Sequence, residues 1–200
     1  MRVVVGNAGL PKVRINFSRG IRRDVLAWRP RTSWKPAGAE EVIFVSEHSR
    51  WEERVAIRGG IPICCPWFRG KAGDPKVPAH GVVRTKTWRM ESIKHNGDAF
   101  TVSMTPESDD NTRKWVAGDF RLVHRATFGS WLQPELSVTN TAVGLLRIEE
   151  TLHTYHKVGH VKDGRIRGIE GVATSIRLTQ TGRRCSRATA SWSRRLTTHT

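Results

Sequence analysis

The chain has 200 residues, 38% of them hydrophobic, and a net charge of +16, which is enough for one domain with its own core. It lacks the run of about 18 apolar residues that a membrane-spanning helix needs, and the apolar run after Met1 is too short for a signal peptide. The basic balance would ordinarily point to nucleic acid, but 174–200 holds six arginines and no acid, and 19–31 holds five arginines against Asp24.

Short alternating or β-branched runs dominate and predict strands over Val13–Phe17, Glu41–Val45, Trp88–Ile93, Ala99–Met104, Phe120–Phe128, Trp131–Thr139 and Leu145–Tyr155. Asn96-Gly97 and Gly129-Ser130 separate such runs and read as hairpin turns. Pro134 suits an edge strand or a bulge. With no sustained 3.6-residue period, the expected class is all-β, a sandwich of antiparallel sheets, with Trp51–Arg84 as a long functional excursion. Three cysteines, two of them adjacent as Cys64 and Cys65, neither pair off evenly nor form a zinc-spaced set, which fits a reducing cytoplasm.

Within that excursion, Ala56-Ile57-Arg58-Gly59-Gly60-Ile61-Pro62-Ile63-Cys64-Cys65-Pro66-Trp67-Phe68 leads to His80-Gly81-Val82-Val83-Arg84 and Trp88. Glycines free the backbone for left-handed turns and close approaches, and prolines fix the path between them. Arginines on such a frame beside aromatic rings suit an anionic or polyhydroxylated ligand. The alternative is a buried loop with solvated arginines.

A second cluster, Glu149-Glu150-Thr151-Leu152-His153-Thr154-Tyr155-His156, follows. On a strand, His153 and Tyr155 share one face and His156 takes the other, so the His153, His156, His160 spacing does not suit chelation. His153 can converge with His80, Arg58 and Arg84 on one site, where an imidazole exchanges protons near neutral pH.

Ile57-Arg58-Gly59-Gly60-Ile61-Pro62, Pro66-Trp67-Phe68, His80-Gly81 with Arg84, Trp88 and Leu152-His153-Thr154-Tyr155 together resemble the D-hexose-6-phosphate mutarotases (glucose-6-phosphate 1-epimerases) of the aldose 1-epimerase superfamily. Ser33-Trp34-Lys35-Pro36, Val45-Ser46, Asn140-Thr141 and Gly168-Ile169-Glu170-Gly171 add to the resemblance, which covers roughly 33–171. It implies a galactose-mutarotase-type β-sandwich in the cytoplasm, monomeric when full length, that interconverts the α and β anomers of a hexose 6-phosphate. No metal, redox cofactor, nucleic acid or membrane is implied. His153 matches the acid histidine, and Arg58, His80 and Arg84 match substrate-binding positions; Trp67 and Tyr155 are candidates either for rings against the sugar or for core packing. Ala79 replaces the usual glutamine, Cys65 stands where an aromatic is common, and no glutamate matches the family's base.

The expected domain is therefore an incomplete sandwich over 1–173, followed by a basic, disordered or out-of-frame tail over 174–200, with 19–31 also suspected of being out of frame. Ala173–Thr179 can be encoded so that a shifted frame reads Asp-Ile-Asp-Lys-Thr-Asp, resembling the family's continuation, and Ala27–Arg31 so that a shifted frame reads His-Gly-Ala-His-Val. Sequencing the DNA tests this. A sandwich short of strands exposes edges and apolar faces, which predicts poor solubility and weak exchange activity. Two alternatives are a non-catalytic carbohydrate-binding sandwich and a basic nucleic-acid-binding module, the latter marked by strongly salt-dependent binding.

Overall fold

The structure is a computed structural model and describes residues 2–16, 22–26, 32–70, 76–106, 110–116, 118–160, 164 and 166–168. The chain divides into two units, Met1–Lys157 and Val158–Thr200. Every element and site residue discussed below belongs to the first; in the second, the described residues form no helix or strand. The suspected tail, 174–200, lies wholly outside the described residues.

The class is all-β, as expected. Strands β1 (Arg2–Val5), β2 (Pro11–Asn16) and β3 (Arg22–Leu26) form an antiparallel sheet in the order β1-β2-β3. The strand β3 lies within the arginine-rich 19–31 segment, and its backbone pairs in register with β2 from Lys12↔Leu26 to Asn16↔Arg22. A two-residue strand β4 (Ile63–Cys64) pairs with β9 (Thr151–Leu152), and a four-stranded meander runs through β5 (Trp88–Asn96), β6 (Ala99–Pro106), β7 (Phe120–Phe128) and β8 (Leu132–Asn140). The sole α-helix among the described residues is one turn, Asp110–Arg113.

The meander follows from its pattern. Phe100, Val102 and Met104 of β6 and Leu122, Ala126 and Phe128 of β7 are buried, and the Phe100 and Phe128 rings stack at 4.7 Å. One apolar cluster joins these side chains to Val13 and Ile15 of the first sheet and to Ile63, Trp67, Val83 and Trp88, so all three sheets share a core. The turn after Asn96 brings Asn96 opposite Ala99, with Gly97 at φ 56°. Pro134 sits in β8, the edge strand, where its missing N–H leaves no gap in an inner ladder.

Two expected strands are largely not regular. Glu41–Val45 makes only isolated bridges, Ile43 to His156 and Val45 to Gly59. Of Leu145–Tyr155 only Thr151–Leu152 is strand, and Leu145 is 99% exposed. The reason lies in the partner segment. Glu149 N–H donates to the Pro66 carbonyl at 2.9 Å, His153 N–H to Pro62 at 2.9 Å and Tyr155 N–H to Gly60 at 3.0 Å, but Pro62 and Pro66 have no N–H to return. The two segments therefore run antiparallel over their length, while a two-way ladder closes only at Ile63↔Leu152 and Cys64↔Thr151.

Candidate functional site

The strip from Gly60 to Arg69 carries the site because both histidine segments are bonded to it. Along one edge run the 149–155 contacts just described. On the other, Val82 N–H donates to the Cys65 carbonyl at 3.0 Å, Gly81 bridges Cys65, and His80 N–H donates to the Arg69 carbonyl at 2.8 Å. Two glycines make these approaches possible. Gly81, at φ 74°, has no room for a Cβ, which would collide with the Cys65 backbone; a Cβ on Gly59, at φ 132°, would strike Val45 and the Phe44 carbonyl.

The result is a pair of facing imidazoles. The His80 and His153 rings stack with centroids 5.7 Å apart and planes 19° from parallel. Phe68 packs against both, at 5.0 Å from His80 and 5.9 Å from His153, and Tyr155 sets an edge on His153 at 5.0 Å. Burial pushes both histidines below their ordinary value, and in each the positive charge of Arg84 adds to the shift. His80 also feels His153 and Arg69. Both rings therefore favour the neutral form more than a free imidazole does.

Arg84 is the cation whose charge reaches both histidines. It lies in the 3-10 turn Val83–Thr85, and its Nε is buried with no hydrogen-bond partner among the described residues. It lines a small cleft together with Ile57, Gly59, Pro62 and Ile63. Arg58 is exposed: its backbone is held by Ser46 and Ser49, with Ser46 N–H donating to its carbonyl at 2.8 Å and its own N–H donating to Ser49 Oγ at 3.1 Å. Among the described residues, the ring and charge interactions of the histidine pair involve Arg84 and Arg69 rather than Arg58. The structure thus gathers His80, His153 and Arg84, and leaves Arg58 on the segment beside the cleft.

Trp67 is 8% exposed, packs in the core and donates from Nε1 to the Pro78 carbonyl at 2.8 Å, so core packing accounts for it. Phe68, which the sequence reading did not single out, supplies the ring that touches both histidines. The pairing of its N–H with Glu149, 81 residues away, is a contact that spacing alone does not signal. Cys64 and Cys65 are buried, and burial pushes their thiols up to about 11 and about 12, so neither is a nucleophile at neutral pH. No group of three or more His, Cys, Asp or Glu among the described residues is placed to hold a metal ion.

The depressed histidines imply a pH dependence. A group whose folded-state value lies below the unfolded one, here 6.5 for both, binds its proton first in the unfolded chain. Their contribution to stability is whole above 6.5 and is lost as pH falls through the unfolded value towards the folded one. The thermal midpoint is expected to drop between about pH 6.5 and about pH 5.5, where most carboxylates stay ionised. Scanning calorimetry of the His80→Gln, His153→Gln double variant should show a shallower slope; an unchanged slope would assign the drop to other groups.

Comparison with known proteins identifies the family. Residues 32–199 match the aldose 1-epimerase family. A Salmonella typhimurium protein named "Putative glucose-6-phosphate 1-epimerase" is 37% identical over 137 residues, covering 68% of this chain and 45% of that protein. One of the same name from Cenchrus ciliaris is 28% identical over 175 residues, covering 82% and 52%. The crystal structure of a "putative mutarotase (YeaD)" from Salmonella typhimurium superposes with a TM-score of 0.60 at 26% identity, over 68% of this chain and 49% of that one. The chain spans about half the length of the curated relatives it matches. No helix among the described residues is long and apolar enough to cross a membrane. With the matched region covering most of its residues, the chain belongs to the aldose 1-epimerase family.

Proposed function

We propose that this chain binds hexose 6-phosphates and carries the acid half of a site that interconverts their α and β anomers, as the name of its relatives suggests. The observation that carries this reading is Arg84, whose buried Nε lacks a partner among the described residues, beside two facing imidazoles. A guanidinium fork offers coplanar donors that fit phosphate oxygens, and a buried donor gains most from such a ligand. Arg58, next to Gly59 on the cleft wall, would add a second positive charge at the rim.

Anomer exchange requires the ring oxygen to gain a proton while the anomeric hydroxyl loses one; the ring opens, the C1–C2 bond turns, and closure reverses both transfers. His153 is the proposed acid and His80 a substrate-binding donor. A neutral His153 becomes a better proton carrier when an anion offsets the charge of Arg84, so bound phosphate raises its pKa towards the working range. The balance of this chemistry calls for no metal or redox group.

Titration calorimetry with glucose 6-phosphate and with glucose, together with saturation-transfer NMR between the two anomers, tests the reading. Phosphate-dependent binding with exchange above the buffer rate supports it. Equal affinity for the two sugars, or none for either, overturns it, and binding without exchange would favour a non-catalytic carbohydrate-binding sandwich.

A further inference from the structure

The histidine pair is held in place by a turn that Glu149 grips from outside the site. Glu149 Oε2 accepts the Phe68 N–H at 2.9 Å, and the Glu149 N–H donates to the Pro66 carbonyl at 2.9 Å, so one residue brackets the backbone of 66–68. Immediately beyond, Arg69 N–H donates to His80 Nδ1 at 3.2 Å while His80 N–H donates to the Arg69 carbonyl at 2.8 Å. A ring nitrogen that accepts a hydrogen bond carries no proton, so the neutral His80 ring bears its proton on Nε2. The backbone of this clasp is strained: Arg69 sits at φ 69° and His80 at φ 68°, a left-handed conformation that costs a residue with a Cβ about 1–2 kcal/mol. Such a conformation persists only where the surroundings over-determine it, and the bonds from Glu149 on one side and His80 on the other supply that constraint.

We propose that Glu149 is a positioning residue: by holding the Phe68 N–H it fixes the 68–69 turn that caps His80 Nδ1, leaving Nε2–H as a permanent donor to an oxygen of the bound ligand. The identity of that ligand rests on the function proposed above, whereas the tautomer of His80 does not. The Glu149 side chain is exposed, so its hydrogen bond adds little to global stability. The effect belongs instead to ring geometry and to affinity.

Long-range 1H–15N correlation spectra of the histidine rings, with glucose 6-phosphate titrations, test the proposal on three chains. In the parent chain His80 should show a single Nε2–H tautomer. Glu149→Ala should mix the tautomers and raise the Kd for glucose 6-phosphate by about 3–10-fold, the worth of one hydrogen bond, with little change in unfolding midpoint. Glu149→Gln keeps an acceptor oxygen at the same reach and should restore both readouts. A parent chain with the His80 proton on Nδ1, or an alanine variant with an unaltered His80 tautomer, would overturn the proposal. Failure of glucose 6-phosphate to bind the parent chain would instead count against the proposed function, with the tautomer comparison still deciding the role of Glu149.

Discussion

Replacing Gly81 with alanine is expected to destabilise the chain by about 2–5 kcal/mol and to abolish the histidine pairing with it. The residue sits at φ 74°, where a Cβ alone costs about 1–2 kcal/mol. The larger part is steric: the new methyl would collide with the backbone of Cys65, and overpacking a tight interior typically costs about 1–3 kcal/mol. A flexible side chain could swing away, but the obstructing atoms belong to the strip that also bonds Val82 and the 149–155 segment. Either the strip or the 80–82 segment must shift, and His80 shifts with the latter. Gly97→Ala provides the contrast, because that residue has φ 56° and open space around it, so it should lose only the conformational part, about 1–2 kcal/mol. Urea denaturation of the two variants checks the difference, and equal midpoints would show that the crowding at Cys65 relaxes freely.

Arg84→Met is expected to weaken glucose 6-phosphate binding by about 10–100-fold, the worth of a charge-assisted hydrogen bond to phosphate, while leaving the free chain no less stable. The second half of that expectation separates a binding role from a structural one. A buried polar atom without a partner costs about 1–3 kcal/mol, and among the described residues Nε of Arg84 is such an atom, so an apolar side chain of similar length removes a penalty from the unliganded fold. The variant should also raise the pKa of both His80 and His153, since the Arg84 charge lowers each. Calorimetry, thermal unfolding and NMR titration of the ring protons read the three effects. Loss of stability together with loss of binding would make Arg84 a structural residue.

The parts of the fold that could be read from sequence are those where local pattern and tertiary environment agree. Phe100, Val102 and Met104 alternate because β6 lies inside a sheet with one face on the core, and of the edge or bulge that Pro134 suits, the structure shows the edge. The Leu145–Tyr155 strand was over-read because its pattern carries no information about Pro62 and Pro66, whose missing N–H groups break the ladder from the partner side. Within the site, the sequence allows His80 and His153 to converge, and their rings stack. The roles of Phe68 and Glu149 did not, since they depend on left-handed backbone at Arg69 and His80 and on a hydrogen bond across 81 residues. Arg58 and Arg84 looked equivalent as charges; burial separates them.

The strip from Gly60 to Arg69 also bears on when the site can exist during folding. Its two flanking segments come from far apart in the chain, one of them only after the whole β5–β8 meander has been made. Closing so long an interval carries an entropy cost that grows with the logarithm of its length, and pairings of high sequence separation form slowly. The meander, built from neighbouring hairpins, can assemble first and bring residues 149–155 back to the strip. Ligand capture would then appear as a late kinetic phase, after most of the sheet signal has been recovered, and would serve as a sensitive reporter of whether this long-range closure has taken place.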